Sequence, residues 1–417
     1  MSSESRKFRF DTLLIHGGTE DGPAGATTIP IFQSSAFAHK TAEELEDIFR
    51  GRQTGQIYTR INNPTNESFE KRLAAIEGGI AAIVTASGMA SIATAVMTIV
   101  QSGSEILSSS SVFGGTYSLF KDTLANYGIA TTFVDPTDAK AVRDGINERT
   151  RLIFVETIGN PKMDVPDISL LSAIAREAGI PLVVDATVST PYLARVIELG
   201  ADIVIHSTSK FINGTANAIG GAIIDSGAFA WQGPRFPHFE PFVKKYRRFA
   251  FTARARKLMH KDFGACAAPM NSFLLAQGIE TLALRMERHC ANAMHLANFL
   301  KSHPKVAWVN YPGLADSLYH EVATRQFGGR YSGLLTFGLA DRPTAFRLIN
   351  GLQMAKNLAN IGDAKTLVIH PASTICCDYT PKEKQLMGVT EELVRVSAGI
   401  EAIDDIVEDF EGALSNV

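Results

Sequence analysis

A single lysine, Lys210, closes the run H-S-T-S-K at residues 206–210, directly after the apolar stretch I-V-I at 203–205. An unbroken apolar run of that kind reads as a strand buried on both faces, and a lysine just past its end is poorly hydrated. Poor hydration lowers the pKa of an amine and frees it as a nucleophile toward carbonyl groups, the preparation for a Schiff base. Ser207 and Ser209 bring hydroxyls three residues and one residue ahead of it, donors suited to holding a phosphate. Taken alone, S-x-S-K is more often a strand-end lysine reaching for water, its hydroxyls capping a turn.

A second strand-like run, P-L-V-V-D-A at 181–186, ends on Asp185. By itself this aspartate reads as a strand-end cap. One strand unit ahead of Lys210, it is also the carboxylate that pyridoxal phosphate requires. Paired with the pyridinium nitrogen, it keeps the ring protonated and electron-withdrawing. Three further fragments have chemical and bland readings side by side. T-A-S-G-M-A-S (85–91) opens a helix whose first amides, at Gly88 and Met89, suit an anion, though glycine at such a turn is also common for packing. E-L-V-R-V-S (392–397) puts Arg395 in an apolar strand, where it needs an anionic partner, ordinarily a structural carboxylate. V-E-T-I-G-N-P (155–161) is adequately read as a strand ending in an Asn-Pro turn.

V-V-D-A-T-V-S-T-P-Y-L (183–193) and H-S-T-S-K-F-I-N-G (206–214) resemble the Cys/Met-metabolism group of pyridoxal-phosphate enzymes, and the resemblance runs from about Thr12 to the C-terminus. It implies an α/β, fold-type I (aspartate-aminotransferase-like) architecture with a mostly parallel central sheet and a smaller C-terminal α+β domain. It implies that Lys210 carries pyridoxal phosphate and moves the Cα proton, with Asp185 on the ring nitrogen. Ser87, Gly88, Met89, Ser207 and Ser209 become the phosphate cup, Phe113 the ring stacked on the cofactor, and Asn160 the partner of its phenolic oxygen. Arg395 would bind the substrate α-carboxylate, with Asn360 beside it. Tyr58 and Arg60, in Q-I-Y-T-R-I-N-N-P (56–64), would reach the cofactor phosphate of a neighbouring subunit. A homo-oligomer with shared sites follows, a tetramer built from dimers.

Finer markers narrow the reaction. Phe113 stands where most relatives have tyrosine; it keeps the stacking but lacks a hydroxyl near the departing group, which acetate tolerates. Gly115 stands where methionine gamma-lyases have cysteine. N-I-G-D-A-K-T-L-V-I-H-P-A-S-T (360–374) resembles the O-acetylhomoserine sulfhydrylases, while Ile375 and Cys376 replace their usual Thr-His. The implied reaction is γ-substitution on O-acetyl-L-homoserine, sulfide giving homocysteine and acetate. The alternatives are another nucleophile (cysteine, a carbon or an amine), cystathionine synthase or γ-lyase activity, and a non-catalytic homologue, which the intact Lys210, Asp185 and Arg395 disfavour.

The elements that must position these residues follow from apolar runs at 81–85, 104–108, 131–135, 152–155, 182–185, 203–206 and 222–224, with helical patterns between most of them. Such alternation argues for a parallel α/β domain over 76–265. Residues 1–75 read as an arm poor in regular structure, apart from a short helix at 41–49. A long helix at 270–289 opens a C-terminal α+β domain over 266–417. The chain lacks G-x-G-x-x-G and G-x-x-x-x-G-K, so neither a dinucleotide nor a P-loop reading has support. A basic stretch at 228–262 reads as surface or subunit contact, since a net charge of −3 gives no general reason for nucleic acid or membrane partners. Four cysteines in 417 residues, without zinc spacing, point to a reducing compartment and no metal. With a polar start, M-S-S-E-S-R-K, and no apolar run of membrane length, the expectation is a cytoplasmic enzyme acting on a small amino acid.

Overall fold

Strands form where the sequence places its unbroken apolar runs. The computed structural model describes residues 8–18, 22 and 25–417. Seven strands make one sheet: β1 (Ala81–Thr85), β2 (Glu105–Ser109), β3 (Ala130–Val134), β4 (Thr150–Glu156), β5 (Leu182–Asp185), β6 (Ile203–His206) and β7 (Gly221–Asp225). Their order is β1-β7-β6-β5-β4-β2-β3. From β3 across to β6 every pairing is parallel, and β7 lies antiparallel between β6 and β1. β5 shows why its run is unbroken. Leu182 and Val184 face one core cluster and Val183 faces the other, so both sides of the pleat are covered.

A smaller sheet carries the C-terminal part: β8 (Trp308–Asn310), β9 (Leu334–Gly338), β10 (Lys356–Asn357), β11 (Leu367–Ile369) and β12 (Leu393–Ser397), in the order β10-β11-β12-β9-β8. Only its β10–β11 pairing is parallel. The short helix at Ala42–Arg50 forms as its cap residue dictates, with the Thr41 side chain accepting from the Glu44 amide.

Two expectations are corrected. The stretch before residue 76 holds a 14-residue helix, Pro64–Glu77, capped by Asn63 and ended by Gly78 at φ 77°. Phe69, Leu73 and Ile76 bury it in the core of the large sheet. The expected 270–289 helix is broken at Thr281 into Pro269–Glu280 and Leu282–Ser302. The reason is Arg285. It turns inward, donating to the Thr281 hydroxyl and, at 2.6 Å, to the Gly278 carbonyl that would otherwise continue the helical ladder. The same guanidinium also holds the Phe211 and Ile212 carbonyls. The polar start at 1–7 lies outside the described residues, as do residues 21, 23 and 24 of the loop signals at 21–26. Among those described, no helix is long and apolar enough to cross a membrane.

Candidate active site

Parallel strands end where ligands bind in open α/β sheets. β4 ends on Glu156, β5 on Asp185 and β6 on His206, and these ends open on a cavity of about 470 Å³. The turn after β6 carries Lys210. Gly214, at φ 74°, closes that turn with its amide on the Lys210 carbonyl at 2.9 Å. Lys210 Nζ donates to Asn360 Oδ1 at 2.6 Å, a contact made across the two sheets. Burial first, and the Arg395 guanidinium second, bring the Lys210 ammonium down to about 8. The amine is thereby prepared as a nucleophile near neutral pH.

Arg395 comes from β12 and is buried. It donates to Asn160 Oδ1 at 3.0 Å and to the Asn360 carbonyl at 3.2 Å. Among the described residues it forms no ion pair with a carboxylate, and burial pulls it down to about 10. A guanidinium held by neutral acceptors beside a cavity keeps its charge for an anionic ligand. Asp185, at the end of β5, accepts the Thr187 amide at 2.9 Å. Burial raises its pKa, opposed by the Thr187 bonds and the neighbouring His206.

The phosphate-cup candidates also meet at this cavity. The Ser87 hydroxyl accepts the Ala90 amide at 3.1 Å, which leaves the Gly88 and Met89 amides heading the 12-residue helix Gly88–Ile99. A Cβ on Gly88 would come within 2.6 Å of Ser207 Cβ, so glycine is what lets the two segments converge. Ser209 lines the cavity, yet its hydroxyl is engaged by both the amide and the carbonyl of Gly220. Phe113 lines it with a half-exposed ring, and its amide donates to Glu156 Oε1 at 2.6 Å. A Cβ on Gly115 would meet Phe113 Cε1 at 2.7 Å. Tyr58 and Arg60 are not brought to this cavity. Arg60 lies over the exposed Tyr58 ring, 5.5 Å from its centroid, and donates to the Lys261 carbonyl.

The chain belongs to the Cys/Met metabolism PLP-dependent enzyme family. Its model matches residues 11–415. O-acetyl-L-homoserine sulfhydrylase of Leptospira meyeri is 42% identical, the match covering 100% of this chain and 98% of that one. Homocysteine synthase of Schizosaccharomyces pombe is 43% identical, covering 97% and 98%. Among solved structures, a Campylobacter jejuni chain assigned as an O-acetylhomoserine (thiol)-lyase superposes with a TM-score of 0.94 at 35% identity. That match covers 98% of this chain and 100% of the other, which carries N'-pyridoxyl-lysine-5'-monophosphate. The architecture is thus fold-type I, and the family's cofactor is pyridoxal phosphate. The residues present fit it: a half-buried amine whose hydrogen bond, among the described residues, is to an amide oxygen, a carboxylate at a strand end, and helix-start amides in one cavity.

Glu156, Thr187 and Ile219 line the cavity and were not singled out from the sequence. Ile219, Ile361 and the singled-out Ile375 are its apolar lining. Ile375 therefore shapes the cavity, whereas Cys376 is buried outside it, its thiol pushed up to about 11 by burial. The basic stretch divides in the same way. Arg254 is buried, bonded to the Thr98 carbonyl, and Arg256 pairs with Glu70 at 2.7 Å. Lys244, Arg247 and Arg248 instead rim a separate, larger hollow of about 860 Å³. Among the described residues no cluster suited to a metal ion occurs.

Proposed function

We propose that the chain catalyses γ-substitution on O-acetyl-L-homoserine, sulfide giving homocysteine and acetate. The observation that carries this reading is the continuous contact from Lys210 through Asn360 to Arg395. It sets a nucleophilic amine beside a guanidinium with no carboxylate of its own, a pair suited to an amino-acid substrate. Relatives about 40% identical over their full length bear the sulfhydrylase and homocysteine synthase names.

When bound, pyridoxal phosphate supplies an electron sink that makes the protons of the substrate carbon chain acidic. Lys210 binds the cofactor and, once displaced by the substrate amine, takes the Cα proton, for which a pKa of about 8 is well matched. Asp185 is the carboxylate for the ring nitrogen in this reading. Arg395 orients the substrate by its α-carboxylate, with Asn160 and Asn360 fixing the guanidinium plane. Gly88, Met89 and Ser207 hold the phosphate, with Ser87 and Ser209 keeping the helix start and the Gly220 segment in place. Phe113 stacks on the ring without adding an acid. Ile219 and Ile375 favour a second reading, in which an apolar thiol is a better nucleophile than sulfide.

We infer that the sites are shared in a homotetramer. Tyr58 and Arg60 sit on the surface, away from their own cavity, as residues serving a neighbour would. A cytoplasmic location accords with four free cysteines. The deciding experiment supplies O-acetylhomoserine with sulfide, methanethiol, cysteine or no nucleophile and identifies products by mass. Rapid homocysteine formation supports the leading reading. Faster capture of methanethiol favours the second, and acetate release without capture of any thiol overturns both.

A further inference from the structure

β4 and β5 run parallel with Glu156 in register with Asp185, so two carboxyl side chains stand next to each other at the strand ends. Both are buried, at 7% and 8% exposure, and both line the cavity. Neighbouring carboxyls out of water do not ionise together at modest cost; one keeps a proton. Their partners decide which. Asp185 has the Thr187 amide at 2.9 Å, the Thr187 hydroxyl and the His206 ring nearby. Glu156 has one amide, that of Phe113 at 2.6 Å. The other charged groups acting on it are acidic, Asp185 on β5 and Asp164 on the loop beyond β4. Lys210 and Arg395, the cations of the same cavity, bond to Asn360 and Asn160 instead.

We propose that Glu156 is a positioning residue that works as a neutral carboxylic acid, anchoring the Phe113 backbone and leaving the negative charge of the pair to Asp185. This rests on the reading of Asp185 as the partner of the ring nitrogen and of Phe113 as the stacked ring. An ionised Glu156 would compete with Asp185 for the ring's positive charge and repel it. A neutral one accepts the Phe113 amide without doing either, and its remaining O–H is a donor at the cavity wall. Burial and the Asp185 charge both act to keep that proton in place.

The test compares Glu156→Ala with the isosteric Glu156→Gln, which keeps a carbonyl acceptor and a donor but carries no charge. The alanine change should weaken cofactor binding and kcat by about tenfold, the scale of one unmade buried hydrogen bond. Glutamine should recover most of that loss. Infrared difference spectra, wild type minus Glu156→Gln, should show a protonated carboxyl at neutral pH in both the holoenzyme and the cofactor-stripped protein. A folded carboxyl that keeps its proton while the unfolded one has lost it makes stability fall as pH rises above the usual carboxylate range. Wild type should therefore lose stability relative to Glu156→Gln over that range. A carboxylate signal in place of the protonated one, or a glutamine variant as impaired as alanine, overturns the proposal. If the alanine variant does not fold, the glutamine variant and the infrared bands still decide. Failure to bind pyridoxal phosphate would sink the reading of the site, while the band in the cofactor-free protein would still report on Glu156.

Discussion

Of two hollows among the described residues, the larger is chemically the poorer. The hollow of about 860 Å³ is walled by Phe229, Trp231 and Phe236 and rimmed by Lys244, Arg247 and Arg248, whose charges are exposed to water. The one of about 470 Å³ holds an amine, a guanidinium and two carboxyls, all withdrawn from water and none in an ion pair with another. An exposed arginine costs nothing to keep. A buried one that faces an open cavity with no carboxylate costs stability, and a ligand is its natural partner. The misfit between charge and burial, and not volume, separates a site from a dent.

Substitutions sharpen that contrast. Lys210→Ala should remove the yellow absorbance of lysine-bound pyridoxal and cut turnover by roughly a thousandfold or more, the scale for loss of a covalent catalyst; an unchanged spectrum would reject the assignment. Arg395→Lys should lower kcat/KM by about a hundredfold, since an ammonium cannot replace a bidentate fork. Mixing the inactive Lys210→Ala and Tyr58→Ala proteins should restore part of the activity if sites are shared. No recovery after demonstrated subunit exchange would make each site self-contained. Lys210 also predicts a pH effect. Folded, it loses its proton near pH 8, against 10.5 for a free lysine. Between those values the unfolded chain binds more protons, so stability of the cofactor-free protein should rise with pH, and Lys210→Met should flatten the rise. Cofactor uptake should quicken over the approach to pH 8. Smallest of all, replacing Lys244, Arg247 and Arg248 by alanine should leave turnover within about twofold, as for surface charges. A large loss there would break the comparison.

The strands of the large sheet, and the residues that end β5 and follow β6, were legible in the sequence because burial on both faces writes itself as an unbroken apolar run. The Pro64–Glu77 helix was not. Its buried face includes Glu70, Arg72 and Glu77, which pair with Arg256, Glu280 and His206, the nearest of them 129 residues away. Pairing from afar makes charged residues count as core, and no local pattern records it. Asn360 lies 150 residues from the lysine it bonds, and only the family resemblance placed it near the substrate. Glu156 stood in the quoted V-E-T-I-G-N-P fragment but gave no sign of its own, since its meaning is a register match with Asp185. The inward turn of Arg285 was hidden for the same reason.

Gly115 sets how the two positions respond to change. A Cβ there would sit 2.7 Å from Phe113 Cε1, so the ring must shift to admit it. A gain of bulk at 115 is therefore read out first in the placement of the ring at 113, and a substitution at one position is expressed as a change of aim at the other.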